Sequence, residues 1–216
     1  MTARLLLAID ASAGPASVAL FRDGHLLGAR RIDRTGSAEL LAPTIAELLQ
    51  TSSVSASMLT DVAVGAGPGS FTGLRVAAAL AKGLARGCNA TMHAAPSLPL
   101  IAAADDDATP GTRLCVLDAL RGEWFVQPVT LRADGVWQVD GAVERLPAQV
   151  VRDRATASGA TLIGPPIDAT QQPDARAILR IGMSPVPRDS WEPEYGRLAE
   201  AQVVWEAAHA QALPSS

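Results

Sequence analysis

The segment from Val62 to Arg86 constrains the fold more than any other part of the chain. Val62-Ala-Val-Gly-Ala66 is an apolar run of strand length, Gly67-Pro-Gly-Ser-Phe-Thr-Gly73 is turn-forming, and Leu74 to Arg86 is rich in alanine at helical length. A buried strand, a glycine loop and a helix in that order make one unit of an α/β sheet, because a strand covered on both faces reads as a continuous apolar run. Such a loop points backbone N–H groups and a helix N-terminus at one spot, the geometry of an anion site. The same glycines serve equally for a tight turn and a close helix-strand contact, so both readings stay open. The loop has neither the Gly-Lys-Ser/Thr of a Walker loop nor the glycine spacing of a dinucleotide fingerprint. Ser70 and Thr72 are candidate caps for the helix.

The surrounding segments extend the unit into two halves. Leu5-Leu-Leu-Ala-Ile9 ends in Asp10, a turn-rich stretch follows, and Val18 to Phe21 leads through Arg22-Asp23-Gly24 into His25 to Ile32. These read as three strands joined by hairpins. Ser37 to Gln50 carries Leu40, Leu41, Ile45, Leu48 and Leu49 at helical spacing, with Ser37 in the N-cap position and Pro43 in the second turn. A strand near Met92 to Ala94 and a short helix capped by Ser97 follow, and Asp105-Asp-Asp107 with Thr109-Pro-Gly111 reads as an exposed linker. The order then begins again: strands over Arg113–Asp118, Glu123–Thr130 and Val136–Val139, a helix over Pro147–Ala157, a strand over Thr161–Gly164 and a helix over Ala175–Gly182. We therefore expect an α/β fold of two strand-first halves with mixed sheets, residues 1–105 and 106–197, and a helix within 198–216 packing back on the first half.

Composition narrows the chemistry. Of 216 residues 48% are apolar and 4% aromatic, so a proper core must be built from small and aliphatic side chains. The 18 basic residues against 22 acidic ones, a net of −4, argue against a protein that grips nucleic acid on its own by neutralising phosphates. Cys88 and Cys115 lack metal-ligand spacing and are expected to be reduced thiols of a cytoplasmic protein. No stretch approaches the roughly 20 apolar residues of a membrane span. His25, His93 and His209 are too scattered for a zinc motif, and Ser70 does not sit in a GxSxG elbow. No catalytic and no metal-binding residue is expected. Asp10 with Ser12 is a second candidate: a strand-end carboxylate beside small residues suits a water-bridged magnesium ion, and equally an Asx turn. The candidate anion or nucleotide set is thus Asp10, Ser12, Gly67, Gly69, Ser70, Thr72 and Gly73.

Three strings together resemble the bacterial TsaB family, also called YeaZ: Leu6-Leu-Ala-Ile-Asp-Ala-Ser12, Ser37-Ala-Glu-Leu-Leu41 and above all Val64-Gly-Ala-Gly-Pro-Gly-Ser-Phe-Thr-Gly-Leu-Arg75. Asp118-Ala119 with Arg121-Gly-Glu123, and Glu194-Tyr-Gly-Arg-Leu-Ala-Glu-Ala201, extend the likeness along nearly the whole chain. It departs at Gly36, where the family usually has a histidine, and at Leu120, where an arginine is usual. The resemblance implies the actin-like ATPase fold, two ribonuclease-H-like halves, and a role in forming threonylcarbamoyladenosine beside the anticodon of tRNA. It also implies a non-catalytic paralogue of TsaD that pairs with a TsaD-like catalytic subunit through helices and recruits a TsaE-like ATPase. Transfer RNA would be met through that complex, and in isolation a homodimer would use the same surface. No cofactor is expected to bind this chain tightly, with ATP and magnesium at most weak or confined to the complex. For the partner surface the residues chosen are Leu41, Ile45 and Leu48 on the first helix and Ala78, Lys82 and Ala85 on the second. Two other functions remain open: an independent nucleotide-dependent enzyme of the actin-like superfamily, and a glycoprotease-type metallopeptidase.

Overall fold

Strand β1 (Leu5–Asp10) is buried at every position, as a strand covered on both sheet faces must be. The computed structural model describes residues 3–33 and 37–196, the side chains of Ser37 and Ala38 excepted. β1 pairs antiparallel with β2 (Ala16–Arg22), which pairs antiparallel with β3 (His25–Ile32). On its other side β1 runs parallel to β4 (Asp61–Gly65), and β4 parallel to β5 (Thr91–Ala95). A short late strand, Ser184–Pro185, closes that edge antiparallel to β5.

Helices α1 (Ser37–Thr51) and α2 (Phe71–Cys88) cover one face of this sheet, packing Leu41, Ile45, Leu48, Ala77 and Ala81 on Leu7, Ile9 and Val62. On the other face lies α3 (Ser97–Ala103), in which all seven residues are buried. Its Leu100 and Ala103 pack with Leu6, Ala8 and Ala63 of the first half, and its Leu98 and Ile101 with Cys115, Leu117 and Phe125 of the second. A helix buried all round needs apolar residues all round, which Ser97-Leu-Pro-Leu-Ile-Ala-Ala103 supplies. The alanine-rich, aromatic-poor composition therefore serves a helix held between two sheets as well as the helix-sheet seam of α2.

The second sheet pairs β6 (Gly111–Asp118) antiparallel with β7 (Glu123–Leu131), which pairs with both β8 (Trp137–Val139) and β9 (Glu144–Pro147). After α4 (Ala148–Ser158), β10 (Thr161–Ile163) returns parallel to β6. In both halves, then, antiparallel strands come first, a helix follows, and the next strand lies parallel to the first. α4 covers the outer face through Val151 and Ala155, and its Arg152 guanidinium lies 4.6 Å from the Trp124 ring centroid.

Several local expectations change. α2 starts at Phe71, one turn earlier than the periodicity suggests, because Ser70 caps it by accepting the Gly73 N–H. Ser97 does not cap α3; Pro96 holds that position, and the Ser97 hydroxyl is engaged elsewhere. The helix expected over Ala175–Gly182 is a 3-10 turn, Ala175–Ala177, followed by one helical turn, α5 (Ile178–Ile181). β9 was missed because Glu-Arg-Leu-Pro, mostly exposed, carries no alternation. The two-residue strand Ser184–Pro185, β11, is too short to leave a pattern. The linker from Asp105 to Gly111 is largely exposed. The helix expected within 198–216 lies outside the described residues.

Candidate functional site

The structure gathers most of the candidate anion set into one seam, where the end of β1 meets the loop before α2. Asp10 is buried, its Oδ1 accepting from the Ser12 N–H at 3.0 Å and the Ser12 hydroxyl at 2.7 Å, and its Oδ2 from the Ser97 hydroxyl at 2.7 Å. Burial raises its pKa, and the hydrogen bonds from Ser12 and Ser97 act against that rise. Gly65 on β4 is required here, since a Cβ would lie 1.9 Å from Asp10 Oδ2. At Gly69 a Cβ would come within 2.0 Å of the Ser12 carbonyl oxygen.

Three N–H groups of the glycine loop are engaged inside the chain. Gly67 donates to Ser97 Oγ at 3.0 Å, Ser70 to the Ser12 carbonyl at 2.7 Å, and Gly73 to Ser70 Oγ at 3.2 Å. Thr72 stands apart on the exposed side of α2. Ser97 is the member of this network that sequence reasoning missed. A serine before an apolar run reads as a cap, and nothing local to it marks a partner 87 residues away.

Between this seam and the second half lies a cleft of about 310 Å³, with Ser12 and Ser70 on one wall and Asp118, Leu120, Pro165 and Gln172 on the other. Its rim is a turn with three consecutive left-handed residues, Leu120 (φ 65°), Arg121 (φ 55°) and Gly122 (φ 78°). For leucine and arginine that conformation is strained.

The chosen partner residues lie differently from expectation. Leu41, Ile45, Leu48 and Ala85 belong to the chain's own core, and Ala78 is 4% exposed. Lys82 reaches the surface, where its Nζ meets Glu192 Oε1 at 2.6 Å. The apolar spacing identifies the inner face of each helix, because that face covers the sheet; a partner would meet the opposite one. On α2 that outer face carries Thr72, Arg75, Ala79, Gly83 and Arg86, and on α1 it carries Ala42, Pro43, Ala46 and Glu47. The segment after β11 runs beside α2: Asp189 pairs with Arg86 at 2.6 Å, and the Tyr195 ring lies 4.7 Å from that of Phe71. Arg75 lies 5.1 Å from the Phe71 ring centroid.

Elsewhere, Asp61 joins Arg4 at 2.9 Å and His93 Nε2 at 2.7 Å. Burial acts to raise the Asp61 carboxyl, but hydrogen bonds from Arg4, Thr60 and His93 outweigh it and hold the pKa at about 2. Burial pushes the Cys115 thiol up to about 12. Among the described residues no group of three or more His, Cys, Asp and Glu is placed to hold a metal ion, and no helix is long and apolar enough to cross a membrane.

Residues 34–135 match the family model of TsaD, described as tRNA N6-adenosine threonylcarbamoyltransferase. The chain is 30% identical over 150 residues to the tRNA threonylcarbamoyladenosine biosynthesis protein TsaB of Escherichia coli (strain K12), an alignment covering 69% of this chain and 65% of that protein. It is 38% identical over 84 residues to the protein of the same name from Haemophilus influenzae, covering 39% of this chain and 36% of the relative. The match thus spans less than two thirds of either relative's length. Among solved structures, YeaZ from Pseudomonas aeruginosa superposes with a TM-score of 0.73 at 24% identity, over 89% of this chain and 99% of that one. The fold is accordingly the actin-like ATPase fold in two α/β halves. With the glycine-loop string seated between β4 and α2 and these relatives alongside, the chain is similar in sequence and in fold to the TsaB/YeaZ family.

Proposed function

We propose that this chain serves tRNA threonylcarbamoyladenosine biosynthesis as a non-catalytic scaffold and activator, pairing with a TsaD-like catalytic subunit and, through that pair, recruiting a TsaE-like ATPase. The names of its relatives supply the pathway. The observation that carries the scaffold role is Gly83, exposed on the outer face of α2 with nothing among the described residues within 4 Å of where its Cβ would stand. A glycine inside a helix costs about 0.5–1 kcal/mol relative to alanine, and nothing among the described residues requires this one. Ala79 lies one turn before it, and Ala42 and Ala46 line the outer face of the neighbouring α1. Small residues in that arrangement let a partner helix approach at the short end of the usual 8–10 Å range. A second copy of the chain would use the same face when the catalytic subunit is absent.

The internal engagement of Asp10 and the glycine loop supports a non-catalytic role, since those groups hold the seam together. The net charge of −4 fits a protein that meets tRNA through its partners. Association of the purified chain with the TsaD-like protein of the same organism, followed by sedimentation at micromolar concentration, tests the reading. A heterodimer is expected for the wild type and none for Gly83→Arg; failure of the wild type to associate would contradict the proposal.

A further inference from the structure

We propose that the cleft between the two halves binds a small, phosphate-free molecule that carries an amino group. The inference goes beyond the scaffold role and rests on the chemistry of the cleft walls. A phosphate site needs cations or free backbone N–H groups. Among the described residues, those lining this cleft include no lysine, arginine or histidine, and Arg121 stands only on the rim turn. Of the lining N–H groups, those of Ser12 and Ser70 already donate, to Asp10 Oδ1 and to the Ser12 carbonyl.

What the walls offer instead is acceptors. Gln172 is 8% exposed; its Nε2 donates to the Ala169 carbonyl at 2.9 Å, and its Oε1 is buried with no hydrogen-bond partner among the described residues. A buried acceptor left unpaired is unfavourable, so a donor that reaches it is favoured. Gln172 lines the cleft, and the terminal amide torsion of glutamine is broad. Asp118, which lines the same cleft, uses Oδ1 to accept the Leu120 N–H at 2.9 Å. No hydrogen bond to its Oδ2 is present among the described residues. The strained turn at Leu120 and Arg121 holds this carboxylate at the mouth, and such strain gathers at binding sites. Ala13, Pro15, Leu117 and Pro165 give the rest of the wall an apolar surface for a compact carbon body. The volume of about 310 Å³ lies at the small end of the range for ligand pockets.

Titration of the ¹⁵N-labelled chain, followed by nuclear magnetic resonance, tests this with two matched pairs of probes: ethanolamine against phosphoethanolamine, and adenosine against adenosine monophosphate. The unphosphorylated member of at least one pair is expected to shift the Gly69, Ser70 and Gln172 side-chain amide signals, and its phosphorylated counterpart to bind about tenfold more weakly. Gln172→Leu removes the orphaned acceptor, and Asp118→Asn keeps an oxygen for the Leu120 N–H while removing the charge; each is expected to weaken the amine severalfold. Phosphorylated probes binding as tightly as their counterparts would overturn the proposal. So would the absence of any shift at these residues up to about 10 mM, an affinity weaker than about 3 kcal/mol, or an Asp118→Asn protein that binds unchanged.

Discussion

The Ser97 hydroxyl donates to Asp10 Oδ2 at 2.7 Å while its oxygen accepts the Gly67 N–H at 3.0 Å. One side chain at the start of α3 thereby ties the end of β1 to the loop before α2. Ser97→Ala leaves a buried carboxylate short of one donor and a buried N–H without its acceptor. A loss of about 2–4 kcal/mol is expected from hydrogen bonds of this kind, measured as a lower urea midpoint with an unchanged slope.

Asp10 adds a pH dependence to that seam. Its folded pKa is raised, so the folded state holds the proton more tightly than the unfolded one. The stabilisation is fully present below the unfolded pKa of about 3.8 and is lost as pH rises through the folded value. Asp10→Asn abolishes this titration. Relative to the wild type, its unfolding free energy should rise as pH increases above about 4; a pH-independent difference would show that Asp10 does not titrate with folding.

Asp61 has the opposite sign. Its pKa falls from 3.8 to about 2, so its contribution is present above the unfolded value and fades as pH drops from about 4 toward 2. The solvent around Arg4, 53% exposed in its side chain, limits the amplitude to about 1–2 kcal/mol. Asp61→Asn should flatten acid unfolding in that window, as followed by circular dichroism.

The two faces of α2 separate stability from partner binding. Gly83→Ala should stabilise the chain by about 0.5–1 kcal/mol, because the new methyl meets nothing among the described residues and the helix gains propensity. Ala78→Arg, at a position 4% exposed, buries an unpaired charge and should destabilise by about 4 kcal/mol or more. Thermal unfolding of both variants checks the assignment of inner and outer faces.

How far the fold was legible depended on pattern length. Leu5 to Ile9 and Val62 to Ala66 read as buried strands because they are buried on both sides, and Asp23-Gly24 announced its hairpin. The repeated order of strands and helix was also readable, whereas β9 and β11 were too short or too exposed. At the seam, Asp10, Ser12 and the glycines were found by chemistry, but Ser97 joins them only through tertiary contact. Helical spacing picked out Leu41, Ile45 and Leu48 correctly as a face and wrongly as an outer one. An amphipathic helix announces its buried side, while a docking surface of alanine and glycine carries almost no hydrophobic signal.

The most direct test of the scaffold role is the amount of threonylcarbamoyladenosine in total tRNA from cells depleted of this protein, complemented with the wild type or with Gly83→Arg. The modification is expected to fall on depletion and to return with the wild-type chain, but not with a folded Gly83→Arg variant. A level that is unchanged by depletion, or that Gly83→Arg restores in full, would contradict the account.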